Sequence, residues 1–286
     1  MQLRKATRKK AKIRLGLSAV SGGGKTYSAI LIAKGLCGDL SKVAVIDTEN
    51  GSADLYAHLG DYNVLPLTAP FSPERYIEAI RSCEKAGMEV IIVDSISHEW
   101  DGKGGCLEIV ESLGGKYQDW AKVTPRHQAF LEAILHSPCH VITTVRRKQD
   151  YEMIKDGNKI RVEKGGLREI TREGFEYELT INLEMDTKHN ATASKDRTNL
   201  FMGKAAFVPS EQTGETIAQW CEQGDEDFNV IRPGSDWYNK VDVCNTQREL
   251  VELYQKNKAD VDANPLLQQL IANRRNQING KTLSAA

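Results

Sequence analysis

Ala19-Val20-Ser21-Gly22-Gly23-Gly24-Lys25-Thr26 is the stretch that decides the fold of this 286-residue chain. It differs at one position from the phosphate-binding loop G-x-x-x-x-G-K-[ST], with Ala19 standing where the pattern has its first glycine. Ile13 to Leu17 before it reads as an apolar strand and Thr26 to Leu36 after it as a helix, the context that the motif requires. Glycines there let backbone N–H groups converge on phosphate oxygens where a Cβ would intrude, and the helix turns its positive end to the same anion. Ser21, Gly22, Gly23, Gly24, Lys25, Thr26 and Tyr27 are therefore the expected nucleotide-binding residues. Lys25 would reach the β- and γ-phosphates, and the Thr26 hydroxyl would hold Mg²⁺. A chance Gly-Lys-Thr in an ordinary turn leaves the flanking strand and helix unexplained.

Further along the chain, apolar β-branched runs alternate with amphipathic stretches. Strands are expected at Ile13–Leu17, Val43–Asp47, Val64–Leu67, Val90–Asp94, Cys139–Val145 and Leu179–Met185, with a weaker one at Ala206–Val208. Helices are expected at Thr26–Leu36, Pro73–Ala86, Trp120–His136 and Glu215–Glu222. This alternation implies an α/β fold with a mostly parallel sheet and helices on both faces. Asp156-Gly157, between the alternating runs Tyr151–Lys155 and Lys159–Glu163, signals an inserted β-hairpin. An acidic Pro/Gly-containing stretch follows Gly224. Beyond it, Thr246–Asn257 and Pro265–Ile278 read as a small C-terminal helical appendage. The expected organisation is a basic arm over residues 1–12, an ATPase core over 13–224, and a linker with helices over 225–286.

Two buried strands end in acids. Val90-Ile91-Ile92-Val93-Asp94 carries Asp94 to the carboxyl edge of the sheet, where it would support Mg²⁺ beside the phosphate loop. The residue after it is Ser95, so no second acid stands there to activate water. Val43 to Asp47 continues into Thr48-Glu49, which makes Glu49 a candidate general base and leaves a solvated loop acid as the simpler reading.

These spacings resemble the RecA-like recombinase ATPases and, more closely, the phage-encoded AAA-type ATPases of recombination modules. Some of the latter are viewed as reduced RecA-like single-strand annealing proteins. The similar blocks are Leu17–Thr26, Val43–Ser52, Val90–Trp100, Cys139–Tyr151 and Ala191–Phe201, across roughly residues 10 to 222. The resemblance implies a RecA-like P-loop core using ATP and Mg²⁺, with Glu49 as catalytic base. It also implies that Lys195 and Arg197, in Ser194-Lys195-Asp196-Arg197-Thr198, reach a neighbouring subunit's γ-phosphate. The protein would then act as a ring or filament. A solvated basic turn is the competing account of that pair. The strand end near Val145 would carry a polar sensor, with Thr144, Arg146 and Gln149 as candidates, and the loop after it would touch DNA.

Charge patterning bears on that last expectation. Net charge is −1, yet seven Lys/Arg and no acid lie between Arg4 and Arg14, and nine Lys/Arg face five acids from Arg146 to Arg172. A cationic hairpin with Tyr151 suits single-stranded DNA through phosphate neutralisation and stacking. The six cysteines are scattered without a C-x-x-C pair, as in reduced thiols of a cytoplasmic protein, and the histidines lack metal-ligand spacing. No run of 18 apolar residues exists, so no membrane partner is expected. Ser97-His98-Glu99-Trp100 carries no assignable chemistry and reads as a packed loop anchor. The leading expectation is a Mg²⁺-dependent ATPase acting on DNA in phage recombination, replication or repair, with Lys25, Glu49, Asp94, Lys195 and Arg197 catalytic. The alternatives are an ATP-controlled annealing module with little hydrolysis, and a helicase-loader-like switch that docks a phage replication or recombination protein. A small-molecule kinase lacks an evident acceptor pocket.

Overall fold

The computed structural model describes residues 8–156, 159–224, 236–264, 267–268, 270–275 and 278. Eight strands form the sheet: β1 (Arg14–Ala19), β2 (Val43–Asp47), β3 (Asn63–Pro66), β4 (Val90–Asp94), β5 (His140–Asp156), β6 (Lys159–Glu169), β7 (Ile181–Met185) and β8 (Ala191–Asp196). Their order is β3-β2-β4-β5-β1-β7-β8, with β6 paired to the outer half of β5. Pairing is parallel from β3 through to β7 and antiparallel for β7–β8 and β5–β6. The sheet is therefore mostly parallel, as the apolar strand runs require.

Alternation along the strands builds two cores. Leu15, Leu17, Val43, Val45, Val90 and Ile92 face one side, and Ala44, Ile46, Ile91, Val93, Val141 and Val145 face the other. Helices α1 (Lys25–Cys37), α2 (Pro73–Lys85), α3 (Ser97–Asp101), α4 (Cys106–Ser112), α5 (Trp120–Leu135), α6 (Phe175–Glu178) and α7 (Glu211–Cys221) complete the unit. Residues of α1 and α7 cover the first face, and those of α2 and α5 cover the second. The α1–α7 contact is backbone to backbone. A Cβ on Gly35 would fall 2.0 Å from the Glu211 carbonyl, and one on Gly214 would fall 2.1 Å from that of Ile32.

Several boundaries differ from the sequence reading, each for a local reason. The strand expected at Cys139–Val145 runs without a break into the hairpin, because the alternating run after it stays in register with β6 up to Asp156↔Lys159. The turn residues 157 and 158 lie outside the described residues. Helix α7 starts four residues early, with Ser210 N–H donating to Thr213 Oγ1 at 3.1 Å. Ala206–Val208 makes only an isolated bridge, Ala191↔Phe207. Ser97–Trp100 is helical, and β8 is a strand that the sequence reading did not delimit. Arg14 belongs to no exposed arm: it is buried, with its guanidinium on the carbonyls of Leu135, Ser137 and Cys139 at the carboxyl end of α5. Burial lowers it to about 10, against the raising charges of Cys139 and Glu84. Residues 1–7 of the basic arm are outside the described set.

Ala11–Gln223 forms one compact unit. A second comprises the described residues up to Lys10 and those from Gly224 onward. It contains α8 (Asp236–Asp242), α9 (Gln247–Lys256) and α10 (Lys258–Ala263) around Val241, Cys244 and Leu250. Thr246 caps α9 by accepting from Glu249 N–H at 3.3 Å. The helix expected over Pro265–Ile278 falls partly outside the described residues. Among the described residues no helix is long and apolar enough to cross a membrane.

The Gly35–Gly214 crossing is directly testable. Gly214→Ala forces the helices apart and should lower unfolding stability in urea by about 1–3 kcal/mol, as overpacking does. An unchanged urea midpoint would show that α7 is not clamped on α1.

Candidate functional site

In an open α/β sheet the ligand crevice lies beyond the carboxyl ends of the parallel strands. Here those ends are aligned by register, Asp47 opposite Asp94, Val93 opposite Thr143 and Ala19 opposite Arg146. One strand, β5, separates the strand of the phosphate loop from the strand of Asp94. A cavity of about 400 Å³ opens at this edge. Ser21, Gly22, Gly24, Lys25, Thr26, Tyr27, Glu49 and Asp94, all selected from the sequence, line it. Ser52, Tyr56, Arg146 and His189 complete the lining.

The loop explains its own composition. Gly22 and Gly24 have φ of 77° and 82°, a region that side chains resist. Gly23 serves differently: it does not line the cavity, and its N–H donates to the Val20 carbonyl at 3.1 Å. A Cβ on Gly23 would sit 2.6 Å from the methyl of Ala19. The methyl that replaces the usual first glycine is thus accommodated by leaving Gly23 bare. Helix α1 opens on Gly24 without a side-chain cap, and Gly24, Lys25 and Thr26 at its start line the cavity.

Asp94 is 1% exposed and ties three elements together. Its Oδ2 accepts from Thr26 Oγ1 at 2.6 Å, and its Oδ1 accepts from Thr144 Oγ1. Burial pushes its carboxyl above the ordinary aspartate value, against the two threonine hydrogen bonds. Lys25 Nζ donates to the Ala19 and Val20 carbonyls at 3.3 and 3.2 Å. Burial lowers the Lys25 ammonium, and Asp94 and then Glu49 oppose that shift.

Glu49 is held from two directions. Its N–H donates to Asp47 Oδ1 at 2.6 Å, while Asp47 Oδ2 accepts from Ala53 N–H at 3.1 Å, which fixes the loop after β2. Its carboxylate receives Arg146 on both oxygens, with Nε to Oε1 at 2.7 Å. Burial acts to raise Glu49, but the Arg146 hydrogen bonds and charge hold it below the ordinary glutamate value. Behind this pair, Thr48 Oγ1 accepts from Ser95 N–H at 2.9 Å and contacts His98 Nδ1 at 2.8 Å. Burial and then Arg146 depress the His98 imidazole.

The remaining sequence-selected residues lie elsewhere. Lys195 and Arg197 do not line this cavity; both donate to the Tyr177 carbonyl, Arg197 at 3.1 Å. Of the three sensor candidates, Thr144 and Arg146 reach the site. Gln149 does not, because β5 continues outward and places its amide on the Gly165 carbonyl at 2.6 Å. Glu99, Cys106 and His127 form a fully buried cluster that sequence spacing does not disclose. Glu99 accepts from Cys106 Sγ and meets His127 Nδ1, each at 3.0 Å, so the cluster works as a hydrogen-bonded anchor joining α3, α4 and α5. Burial raises the Cys106 thiol, with the Glu99 charge adding to it.

Tyr56 and His189 had no sequence signal. Tyr56 meets Tyr27 edge to face with ring centroids 5.6 Å apart, giving the cavity an aromatic wall. His189 stands at φ 66° in a turn held by Asp186 Oδ1, which accepts from Lys188 and Asn190 N–H at 2.8 Å. The His189 ring covers Gly24, where a Cβ would come within 3.2 Å of it.

A search of the curated proteins finds no match to this chain. Residues 11–211 match the model of the AAA domain family. That stretch is most of the chain and holds every strand of the sheet, so the chain belongs to the AAA domain family of P-loop ATPases.

Proposed function

We propose that the protein is a Mg²⁺-dependent ATPase that acts on single-stranded DNA as an oligomer, in phage recombination, replication or repair. One observation carries the nucleotide part: Lys25, Thr26, Asp94 and Glu49 converge on one cavity at the carboxyl edge of the sheet. The donor set fits a triphosphate with its cation. A buried ammonium rests only on loop carbonyls, uncapped N–H groups open α1, and a hydroxyl–carboxylate pair stands at 2.6 Å. Thr26 and Asp94 would hold Mg²⁺, which when bound supplies charge neutralisation across the phosphates. Lys25 orients the β- and γ-phosphates, and the Tyr27–Tyr56 wall offers a stacking face to the base. Glu49 accepts the proton of the attacking water once its carboxylate is free to do so.

The DNA part rests on the charge of the hairpin segment, nine Lys/Arg against five acids from Arg146 to Arg172. The cleft at its base is mixed in charge: Lys148, Arg168 and Arg172 line it together with Asp101, Asp150, Glu169, Glu173 and Glu176, and Arg147 is neutralised by Glu184 at 2.7 Å. The oligomeric part rests on Lys195 and Arg197, which sit outside their own chain's cavity on the Tyr177 carbonyl and would have to leave it to reach a neighbour's. A second reading, in which ATP binding switches annealing or partner docking with little hydrolysis, is favoured by the grip of Arg146 on Glu49.

Turnover measured against protein concentration, with and without single-stranded DNA, tests this function. Lys25→Ala and Glu49→Gln should each abolish hydrolysis, and wild-type turnover should rise super-linearly with concentration. Mixing Lys25→Ala chains with Arg197→Ala chains should restore activity, because each supplies the half that the other lacks. Wild-type turnover no higher than Lys25→Ala would eliminate the enzyme reading. DNA affinity should fall with salt by about 0.7 log units per log unit of salt for each phosphate neutralised. A salt-independent affinity would remove the cationic hairpin from the account.

A metal-binding role also accounts for a buried carboxylate at Asp94 despite its cost to stability. Its folded-state pKa is raised, so the folded protein binds the extra proton and stability falls as pH climbs above the unfolded value of 3.8. Asp94→Asn should therefore raise the melting temperature of the nucleotide-free, metal-free protein at pH 8. The gain should shrink toward zero below the unfolded pKa. Destabilisation at pH 8 would contradict the burial penalty.

A further inference from the structure

Glu99, Cys106 and His127 line no part of the nucleotide cavity, and they are 0%, 0% and 2% exposed. Each comes from a different helix. Glu99 lies on α3, Cys106 is the first residue of α4, and His127 shares the buried face of α5 with Val123, Phe130 and Ile134. The turn between the first two is built for close approach. A Cβ on Gly105 would fall 2.7 Å from the Glu99 carbonyl oxygen, so a bare Gly105 lets Cys106 return to Glu99. Cys106 packs with Val110, Val123, Ile109, Trp100 and Trp120 in a small apolar cluster, and the Trp100 ring stands edge-on to His127 at 5.6 Å.

A carboxylate, a thiol and an imidazole are the ligand types of a borderline-soft divalent cation, zinc first among them. One ligand atom from each lies within 4.8 Å of the others, and no other such trio occurs among the described residues. Glu99 Oε1 stands 3.0 Å from both Cys106 Sγ and His127 Nδ1, and Oε2 stands 3.1 Å from Nδ1. Neighbouring ligand atoms around a tetrahedral zinc are about 3.3–3.6 Å apart, so the three side chains need to part by only roughly half an ångström. With both oxygens turned to the ring, Glu99 can chelate and bring the donor atoms to the required four. His127 Nε2 has no hydrogen-bond partner, so the polar contact at Nδ1 alone orients the ring. Charge selects the valence. The Cys106 thiol and the Glu99–His127 hydrogen bond each hold a proton; without those protons one negative charge rests on sulfur and one on the carboxylate, which a divalent ion cancels in a dry interior.

We propose that Glu99, Cys106 and His127 form a structural zinc site that staples α3 to α4 and α5, one Zn²⁺ entering as two protons leave to solvent. No electron moves and no nucleotide takes part. The staple bears on the cavity through α3, where Ser97 Oγ accepts from Arg146 N–H at 2.9 Å and His98 Nδ1 contacts Thr48 Oγ1 at 2.8 Å. The ion therefore fixes the segment that follows Asp94.

Zinc and cobalt binding by the full chain, stripped with a chelator and free of nucleotide and Mg²⁺, tests the site. Zinc should return at one ion per chain and raise the melting temperature by several degrees. X-ray absorption at the zinc edge should show a single sulfur at about 2.3 Å with nitrogen and oxygen donors at about 2.0–2.2 Å. Cobalt in its place should give thiolate charge-transfer absorption that zinc abolishes. Cys106→Ser should lose that absorption and weaken zinc by more than the roughly 10–100-fold that losing an outer-shell partner costs. Cys37→Ser, which removes a thiol outside the cluster, should change neither readout. If Cys106→Ser binds zinc as tightly as wild type, the site is wrong. Should that variant not fold, the wild-type measurements decide: zinc without a sulfur neighbour, or below one ion per chain and lost on dialysis as an adventitious ion only, overturns the proposal. The nucleotide reading is untouched by either result.

Discussion

Asp94 places a carboxylate where α1, β4 and β5 meet, and the geometry of the site follows from satisfying it. Two threonines from different elements spend their hydroxyls on its two oxygens. That demand fixes the register of β5 against β4 and the approach of the first turn of α1. The carboxylate remains above its ordinary pKa even so, because burial outweighs the two hydrogen bonds. Lys25 shows the complementary condition. Its ammonium is buried against two backbone carbonyls, and burial lowers its pKa against the charges of Asp94 and Glu49.

The parts of the fold set by local repetition were legible in the sequence. Val43–Asp47 and Val90–Asp94 are strands with the expected ends, because an all-apolar run closed by an acid admits few other readings. The phosphate loop was equally legible, since its glycines answer to backbone angles that no tertiary contact needs to supply. Contacts made across the sheet were not. Tyr56 meets Tyr27, His189 covers Gly24, and Glu99 joins Cys106 and His127 only after the chain has closed. None of these pairs has a sequence spacing that carries information. Arg14 illustrates the opposite failure: counted by composition it extends a cationic arm, yet the carbonyls at the end of α5 claim it.

Ala19 shows why a departure from a motif has to be weighed in three dimensions. A methyl at that position crowds Gly23, and the loop tolerates it because Gly23 offers no Cβ to collide with. The middle glycine of the run, Gly23, is therefore not a redundant contributor to a phosphate cradle. It compensates for Ala19, and its own N–H is used inside the loop.

The charges lining the cavity carry the argument one step further. Its Lys and Arg residues are Lys25 and Arg146, and its carboxylates are Glu49 and Asp94. Within one chain these charges cancel, and a triphosphate with one divalent cation still carries negative charge that grows at the terminal phosphate as the bond breaks. Lys195 and Arg197, side by side on the Tyr177 carbonyl and outside this cavity, add nothing to that balance within their own chain.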